Sequence, residues 1–391
     1  MAERATRQID KMTTSSKKVE LGLCWFASAG LMALLLLPPV RDTWFSQYGR
    51  RWLYILSFSF CVSYLLLPFA RVVALRLKIL DCPSDRKIHT DPTPLLGGIP
   101  IFIAFTGGVL VNSILDREVG AILLGATLMT FTGLLDDAFT LSARLKLSFQ
   151  LLATAIVILA GVELTLFPPV WWGWIGNILL TILWVTGITN ALNFLDGMDG
   201  LAAGLGVITA GFMGIIAFQT NQPFMGWLSV AVVGSCLGFL PYNFRRKAPA
   251  GIFLGDAGST FLGFTLASLA VKGNWAESSI VDIAAPILIF GVLIYDMIYL
   301  TVTRLVSGKV KDFRGWLEYV GQDHLHHRIA TLLHSPRQSV FFIYLLSICL
   351  GLAAIMLRNA SEIDALLLIL QAAIIVGIVT ILEREGNKRH R

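Results

Sequence analysis

Residues 201–240 read LAAGLGVITAGFMGIIAFQTNQPFMGWLSVAVVGSCLGFL and contain no Asp, Glu, Lys, Arg or His. The apolar runs Leu201–Gln219 and Met225–Leu240 flank a short polar break. Each run approaches the length of about 20 residues with which an α-helix crosses the hydrocarbon core of a bilayer. Backbone groups in lipid must bond within their own segment, which a helix allows and an open strand does not. The stretch therefore predicts two successive transmembrane helices.

The rest of the chain has the same character. Of its 391 residues, 55% are hydrophobic and 14% are charged, whereas soluble domains carry about 25% charged residues. The further apolar runs are Leu21–Val40, Trp52–Leu75, Gly97–Leu115, Val119–Leu135, Leu147–Gly161, Trp172–Ile188, Ser259–Val271, Ile280–Thr303, Ser339–Met356 and Ala365–Leu382. We therefore predict an all-α, polytopic transmembrane protein with about 11 core helices and one extra N-terminal helix.

The runs divide the chain into three parts. Residues 1–51 form a basic N-terminus with the extra helix, residues 52–383 a membrane-embedded domain, and residues 384–391 a basic tail. Lys17 and Lys18 before the first run would also suit a signal peptide, but no A-x-A cleavage site follows. An uncleaved helix is therefore expected.

The net charge of +6 is explained by membrane topology rather than by nucleic acid. When the predicted loops are assigned alternately to the two sides, most of the 31 Lys and Arg residues fall on the side of the N-terminus. Cytoplasmic loops collect Lys and Arg, so this side is predicted to be the cytoplasm. The five cysteines show no ligand-like spacing and are expected to be small core residues.

Five unusually polar segments fall on this predicted cytoplasmic side. They are residues 85–98, 136–146, 190–200, 243–258 and 304–337. Ionisable residues at membrane helices are costly and indicate function by default. The alternation thus predicts that the chemistry is concentrated at one face of the membrane.

The segment LLDDAFTLSARLK ends one predicted helix with Asp136 and Asp137 and opens the next with Lys146. Adjacent helical positions point about 100° apart, so the two carboxylates cannot play equivalent roles. They are candidates for metal binding or proton transfer, and Lys146 for contact with a phosphate. A solvated helix end with a loop ion pair is the alternative.

In NALNFLDGMDG, the oxygen-bearing side chains of Asn190, Asn193, Asp196 and Asp199 recur at intervals of three. Neighbours in such a series share a helix face. Hard oxygen ligands without cysteine suit Mg²⁺, which takes one or two carboxylates together with substrate phosphates. In FLGDAGSTFLG, Asp256 lies between glycines at a predicted helix start, where free N–H groups favour anions.

The long inner loop contains HLHHR, which places His324, His326, His327 and Arg328 within five residues. Zn²⁺ binding is disfavoured because no fourth ligand of the usual type is near. Contact with a diphosphate or nucleotide fits these donors better. Lys87, in DRKIHTDPTPLLGG, is a further phosphate-binding candidate or part of a basic retention loop.

Together, DRKIH…GG, LLDDAFTLSARLK, NALNFLDGMDGLAAG, FLGDAGSTFLGF and HLHHRI resemble the polyprenyl-phosphate N-acetylhexosamine-1-phosphate transferases of glycosyltransferase family 4. Bacterial members of this family start O-antigen, common-antigen and wall teichoic acid synthesis. The related phospho-MurNAc-pentapeptide translocases have three consecutive histidines where this chain has HLHHR, which favours the N-acetylhexosamine branch.

The resemblance covers about residues 52–382 and implies a bacterial plasma-membrane transferase. Its expected donor is a UDP-N-acetylhexosamine, above all UDP-GlcNAc; its acceptor is undecaprenyl phosphate, and its other product is UMP. The implied cofactor is Mg²⁺, with Mn²⁺ as an alternative. Membrane lipid is an expected partner, nucleic acid is not, and a homodimer is left open.

The resemblance also implies roles for individual residues. Asp256 is implied as the principal Mg²⁺ ligand, with Asn193 or Asp196 as companion, and Asp136 as the acid–base group near the acceptor. The remaining catalytic candidates are Asp137, Asp199 and Lys146, and the substrate-binding candidates are Lys87, Asn190, His324, His326, His327 and Arg328. A covalent route through Asp136 or Asp137 and a direct displacement are both open.

Two other classes of membrane protein are the alternatives to this prediction. A secondary transporter would place carboxylates in helix middles, often with repeat symmetry. An intramembrane prenyltransferase would show D-x-x-D-type pairs on helices for a prenyl diphosphate. This chain has its polar segments at one set of helix ends, with GDAGS and HLHHR instead.

Overall fold

The structure is a computed structural model that describes residues 22–46, 49–83, 91–246, 248–276, 279–310, 321, 323–357 and 360–389. The helices in this part of the chain are α1 (Leu23–Leu35), α2 (Pro38–Ser46), α3 (Arg51–Leu77), α4 (Gly98–Val111), α5 (Arg117–Phe139), α6 (Ala143–Ala160), α7 (Trp171–Leu195), α8 (Leu201–Gln219), α9 (Pro223–Asn243), α10 (Gly255–Lys272), α11 (Ser279–Ile289), α12 (Gly291–Val306), α13 (Leu325–Leu333), α14 (Pro336–Met356) and α15 (Glu362–Arg389). A two-residue strand pair, β1 (Leu80–Asp81) and β2 (Thr93–Pro94), lies between α3 and α4.

The prediction of an all-α, polytopic membrane protein is confirmed. Eight of the described helices are long and apolar enough to cross a membrane, or up to 10 if each of two bent helix pairs counts as one span. The two remaining apolar runs correspond to α4, which has 14 residues, and to α10, which has 18. Every predicted run is thus represented by a helix or a broken helix.

Two of the runs do not form straight helices as the hydropathy pattern predicts. The first run breaks between α1 and α2 with a bend of 76°, and the run at residues 280–303 breaks between α11 and α12 with a bend of 78°. Pro38 opens α2 and Pro286 lies inside α11. Proline lacks the N–H that continues a helix, and it favours the first turn of a new one.

Helix α10 lies at the centre of the molecule and packs against α4, α5, α7 and α8. Its residues from Ala257 to Val271 are all buried. A Cβ added at Gly133 of α5 would lie 2.4 Å from the backbone nitrogen of Ala257, and one added at Gly98 of α4 would lie 2.2 Å from the Cα of Gly258. Only glycine permits such close backbone approach. The N-terminus of α10 is therefore fixed between α4 and α5.

Backbone hydrogen bonds tie the chain before α4 to the chain before α10. The N–H of Phe253 donates to the Pro94 carbonyl at 2.7 Å, and the N–H of Gly97 donates to the Phe253 carbonyl at 2.9 Å. Gly98 donates in the same way to Leu254 at 2.8 Å. These bonds bring residues 94–98 together with the chain that leads into GDAGS, and Lys87 lies outside the described residues.

Candidate active site

The ends of α5 and α7 and the starts of α6 and α10 meet at one end of the helix bundle. Lys146 Nζ lies 2.8 Å from Asp136 Oδ2 and 3.4 Å from Asp256 Oδ2. The Asp136 side chain is 10% exposed, whereas those of Asp256 and Lys146 are each 32% exposed. The ammonium group thus links two segments separated by 110 positions in sequence, and Lys146 and Asp256 remain open to a ligand.

Asp137 joins this cluster through the backbone of α10. Its Oδ1 accepts from the N–H of Asp256 at 2.9 Å, and its Oδ2 accepts from the N–H of Ala257 at 3.2 Å. The first N–H groups of a helix have no partner within the helix, and a carboxylate there is favoured by the helix dipole. Asp137 therefore caps α10 from a neighbouring helix and orients the Asp256 side chain.

Asn193 meets Asp256 from the end of α7. Its Nδ2 donates to Asp256 Oδ1 at 3.1 Å and to Ser259 Oγ at 2.8 Å. Asn190 lies one turn earlier and is held elsewhere, since its Nδ2 donates to Gln150 Oε1 at 2.8 Å. Gln150 is a buried polar residue within an apolar run, and this unusual position is the sequence signal that could have marked it.

Asp196 and Asp199 lie in the turn between α7 and α8. Burial, followed by the charges of Asp256 and Asp137, raises the pKa of Asp196 well above its ordinary value. Asp199 Oδ2 accepts from the N–H of Ala250 at 3.1 Å. The turn therefore adds carboxylates to an already acidic region, where a cation would relieve their repulsion.

The same turn is held in place by two residues that the sequence reasoning did not assign to the site. Asn243 Oδ1 accepts from the N–H of Gly200 at 2.6 Å, and its Nδ2 donates to the Ile252 carbonyl at 3.0 Å. Tyr344 Oη donates to the Gly200 carbonyl at 2.5 Å. Gly200 has a φ of 82°, a left-handed conformation that suits glycine. These bonds fix the LDGMDG turn against α9 and α14.

The HLHHR segment lies against the LDGMDG turn. A Cβ added at Gly197 would lie 2.4 Å from Nε2 of His326, so the ring packs directly on that glycine. The centroid of the His324 ring is 5.3 Å from that of Phe194, and those of His326 and His327 are 4.2 Å apart. The histidines of HLHHR thus join the residues of α7 at the same end of the bundle.

His326 is only 1% exposed, and within the described part of the chain neither of its ring nitrogens has a hydrogen-bond partner. Burial, followed by the charges of His327 and His324, lowers the pKa of His326 well below its ordinary value. The ring is therefore neutral at pH 7. A buried polar side chain without a partner is costly, which makes His326 a candidate for contact with a substrate.

Arg328 is directed away from the carboxylate cluster. Its Nε lies 3.1 Å from Glu383 Oε1, its NH2 group lies 3.7 Å from Asp296 Oδ1, and its guanidinium lies 3.7 Å above the Tyr299 ring. The side chain is 10% exposed. This placement favours anchoring of α13 to α12 and α15, and direct contact of Arg328 with substrate stays a prediction.

The described residues contain no group of three or more His, Cys, Asp or Glu side chains arranged to hold a metal ion. What converges are the side chains of Asp136, Asp137, Lys146, Asn193 and Asp256, with Asp196 and His326 at the adjoining turn. The arrangement can bind an anionic ligand through Lys146 and a cation through the carboxylates.

Comparison with known proteins shows the family of this chain. The family model for "Glycosyl transferase family 4" matches residues 119–274. A probable undecaprenyl-phosphate N-acetylglucosaminyl 1-phosphate transferase of Bacillus subtilis (strain 168) is 35% identical over 301 residues, which cover 75% of this chain and 81% of the relative. The chain belongs to glycosyl transferase family 4.

Other members of glycosyl transferase family 4 match over similar lengths. A decaprenyl-phosphate N-acetylglucosaminephosphotransferase of Mycobacterium tuberculosis (strain ATCC 25618 / H37Rv) is 30% identical over 362 residues, covering 82% of this chain and 86% of the relative. An undecaprenyl-phosphate alpha-N-acetylglucosaminyl 1-phosphate transferase of Escherichia coli (strain K12) is 28% identical over 298 residues, covering 73% and 78%.

Replacing Asp137 tests the capping contact. We expect Asp137→Ala to lower the thermal stability of the purified protein, because it leaves two backbone N–H groups of α10 without acceptors, at a cost of about 1–3 kcal/mol. Asp137→Asn keeps one acceptor oxygen and serves as the matched control with a smaller loss. Thermal unfolding in detergent, followed by tryptophan fluorescence, measures both; an Ala variant that unfolds at the wild-type temperature would contradict the cap.

Proposed function

We propose that this chain transfers N-acetylglucosamine 1-phosphate from UDP-GlcNAc to undecaprenyl phosphate, releasing UMP and forming a lipid-linked sugar diphosphate. The observation that carries the proposal is the Lys146 ammonium between Asp136 and Asp256, beside a turn on which His326 packs. The relatives named as N-acetylglucosaminyl 1-phosphate transferases support the sugar and the acceptor class.

In this reaction an oxygen of the acceptor phosphate forms a bond to the β-phosphorus of the UDP-sugar. The bond from that phosphorus to the bridging oxygen breaks, and UMP leaves with the electron pair. Two anions must approach each other, so the main task of the protein is to neutralise charge. Lys146 is the cationic side chain held between the two carboxylates of the cluster, and its exposed position lets it meet a phosphate.

The surroundings of the two carboxylates of α5 support direct displacement over a covalent aspartyl-phosphate route. Both oxygens of Asp137 already accept from α10. Asp136 is engaged by Lys146 at 2.8 Å and by the N–H of Leu141 at 2.6 Å. A phosphate monoester has a second pKa near 6 and is mostly ionised at pH 7, so a general base would gain little. Asp136 is better placed to hold Lys146.

Mg²⁺ is the cofactor that the donor set suits. Asp256, Asn193 and Asp196 offer hard oxygen atoms, and Mg²⁺ is commonly held by one or two carboxylates together with substrate phosphates. The described carboxylates do not converge as a complete cage, which fits an ion that shares its coordination with the diphosphate. Asp256 and Asn193 would hold Mg²⁺, which would supply charge neutralisation at the phosphoryl oxygens.

The location proposed for the site is the cytoplasmic face of a bacterial plasma membrane. The Lys and Arg distribution of the loops supports this side. All four helix ends that form the cluster lie at one end of the bundle, where a soluble sugar nucleotide and the head group of a lipid acceptor can meet. A transporter is disfavoured by the same placement, since its carboxylates would lie near helix middles.

The donor preference follows from the HLHHR segment. We expect membranes containing the protein to incorporate label from UDP-GlcNAc into lipid and to use UDP-MurNAc-pentapeptide at least 10-fold more slowly, since a misfitting polar contact commonly costs a few kcal/mol. Initial rates at equal donor concentrations, with UDP-GalNAc alongside and undecaprenyl phosphate supplied, measure this. Preference for the pentapeptide donor would overturn the branch assignment, and absence of lipid-linked label from every donor would overturn the reaction.

Metal binding is tested apart from turnover. We expect Mg²⁺ to raise the unfolding temperature of the purified wild-type protein in the presence of UDP-GlcNAc, because a ligand that binds the folded state stabilises it by mass action. Asp256→Asn should lose this shift and at least 10²-fold in rate, whereas Asp364→Asn, at the far end of the chain, should keep both. A full Mg²⁺ shift in Asp256→Asn would remove Asp256 as a ligand.

A further inference from the structure

Asp296 is a buried carboxylate in an otherwise apolar part of α12. It is 1% exposed and stands in the sequence GVLIYDMIYL, where no neighbouring residue is charged. A carboxylate in such surroundings is costly unless it is paired, and it indicates function by default. Asp296 lies outside the five polar segments of the sequence, and it takes no part in the displacement proposed above.

Among the described residues, the hydrogen-bond and ion-pair partners of Asp296 belong to the HLHHR segment. Its Oδ2 lies 2.9 Å from Nδ1 of His324, and its Oδ1 accepts from the N–H of Leu325 at 2.7 Å. The same Oδ1 lies 3.7 Å from the guanidinium of Arg328. One carboxylate therefore contacts the histidine that precedes α13, the first N–H of α13 and the arginine one turn later.

A second contact from α12 holds the chain just before His324. Arg304 makes two hydrogen bonds to Asp323, from Nε at 2.9 Å and from an NH2 nitrogen at 2.7 Å. This pair anchors the chain before His324, and its two hydrogen bonds do not involve the His324 ring. The two contacts can therefore be separated by substitution: Asp323 fixes the segment, whereas Asp296 also fixes a ring.

We propose that Asp296 is a positioning residue that orients the imidazole of His324 toward the diphosphate of the sugar-nucleotide donor. With Nδ1–H donated to Asp296, the ring cannot rotate freely and presents Nε2 on its opposite edge. Nε2 is then the ring nitrogen that is available to the anionic donor. This inference rests on the proposed function and identifies the residue that orients one histidine of its substrate-binding cluster.

The alternative is that Asp296 merely caps α13 through the N–H of Leu325. Asp296→Asn separates the two roles, because the amide oxygen can still accept from Leu325 while the amide N–H₂ faces Nδ1 of His324. The ring must then offer a lone pair at Nδ1 and carry its proton on Nε2. A cap alone would survive this change, whereas a proton on Nδ1 of the ring would lose its acceptor.

The experiment is a double-mutant cycle with Asp296→Asn, His324→Ala and the double variant. Rates with UDP-GlcNAc and undecaprenyl phosphate are measured per folded molecule, normalised by size-exclusion chromatography. We expect Asp296→Asn to lower kcat/KM about 10- to 100-fold, as for carboxylates that orient metal-ligating histidines. The double variant should be no slower than His324→Ala, because Asp296 acts through a ring that is already absent.

The matched control is Asp323→Asn, one residue before His324, which makes the same chemical change in a carboxylate that faces Arg304. Its kcat/KM per folded molecule should stay within about threefold of wild type, since the amide oxygen can still accept from Arg304 and neither hydrogen bond of this pair involves the His324 ring. An equal loss in Asp323→Asn, additive losses in the double variant, or full activity of His324→Ala would each overturn the positioning role. A wild-type protein without activity would instead count against the proposed function.

Asp296→Glu keeps the proposal testable if Asp296→Asn does not accumulate in the membrane. A longer carboxylate can still accept from Nδ1 of His324, so this variant should retain more than a tenth of the wild-type rate per folded molecule and lose it when His324→Ala is added. A folded Asp296→Glu protein that is as slow as His324→Ala would overturn the proposal.

Discussion

The hydrogen bonds from the backbone of Asp256 and Ala257 to the Asp137 carboxylate are the contact on which the site depends. They fix the start of a helix that is buried along nearly its whole length, at the point where Gly133 lets two backbones touch. Because α10 is fixed, Asp256 faces Lys146 on one side and Asn193 on the other. Loss of this contact would displace Asp256 relative to both Lys146 and Asn193.

Most of the fold could be predicted from hydropathy, because apolar runs of membrane length leave a helix as the main way to satisfy the backbone. The breaks could not. Residues 280–303 are mostly apolar and contain only two charged residues, Asp282 and Asp296, so the pattern predicts one span. Pro286 and the bend at Phe290 divide this span into two helices. The hydropathy of a segment indicates whether it lies in an apolar environment, but it does not indicate where a helix bends.

Charge and spacing predicted the carboxylate cluster, since a shared membrane face and the family resemblance brought distant segments together. They could not separate residues that face the cluster from residues that hold it. Asn190 is hydrogen-bonded to Gln150, and Arg328 forms an ion pair with Glu383, so two predicted substrate ligands are engaged by protein partners. Gln150 and Glu383 are polar residues within or beside apolar runs. This costly position is the only sequence signal that could have indicated their role.

We propose that the chemistry is gathered at the cytoplasmic face of the membrane, and the accessibility of introduced cysteines distinguishes this face from the outer one. In a protein without its five native cysteines, single cysteines replace Thr140, at the end of α5, Gln338, in the first turn of α14, and Asn221, just after the end of α8. We expect an impermeant maleimide to label Asn221→Cys in intact cells, and to label Thr140→Cys and Gln338→Cys only after the membrane is opened. Labelling of Thr140→Cys and Gln338→Cys from outside would contradict it.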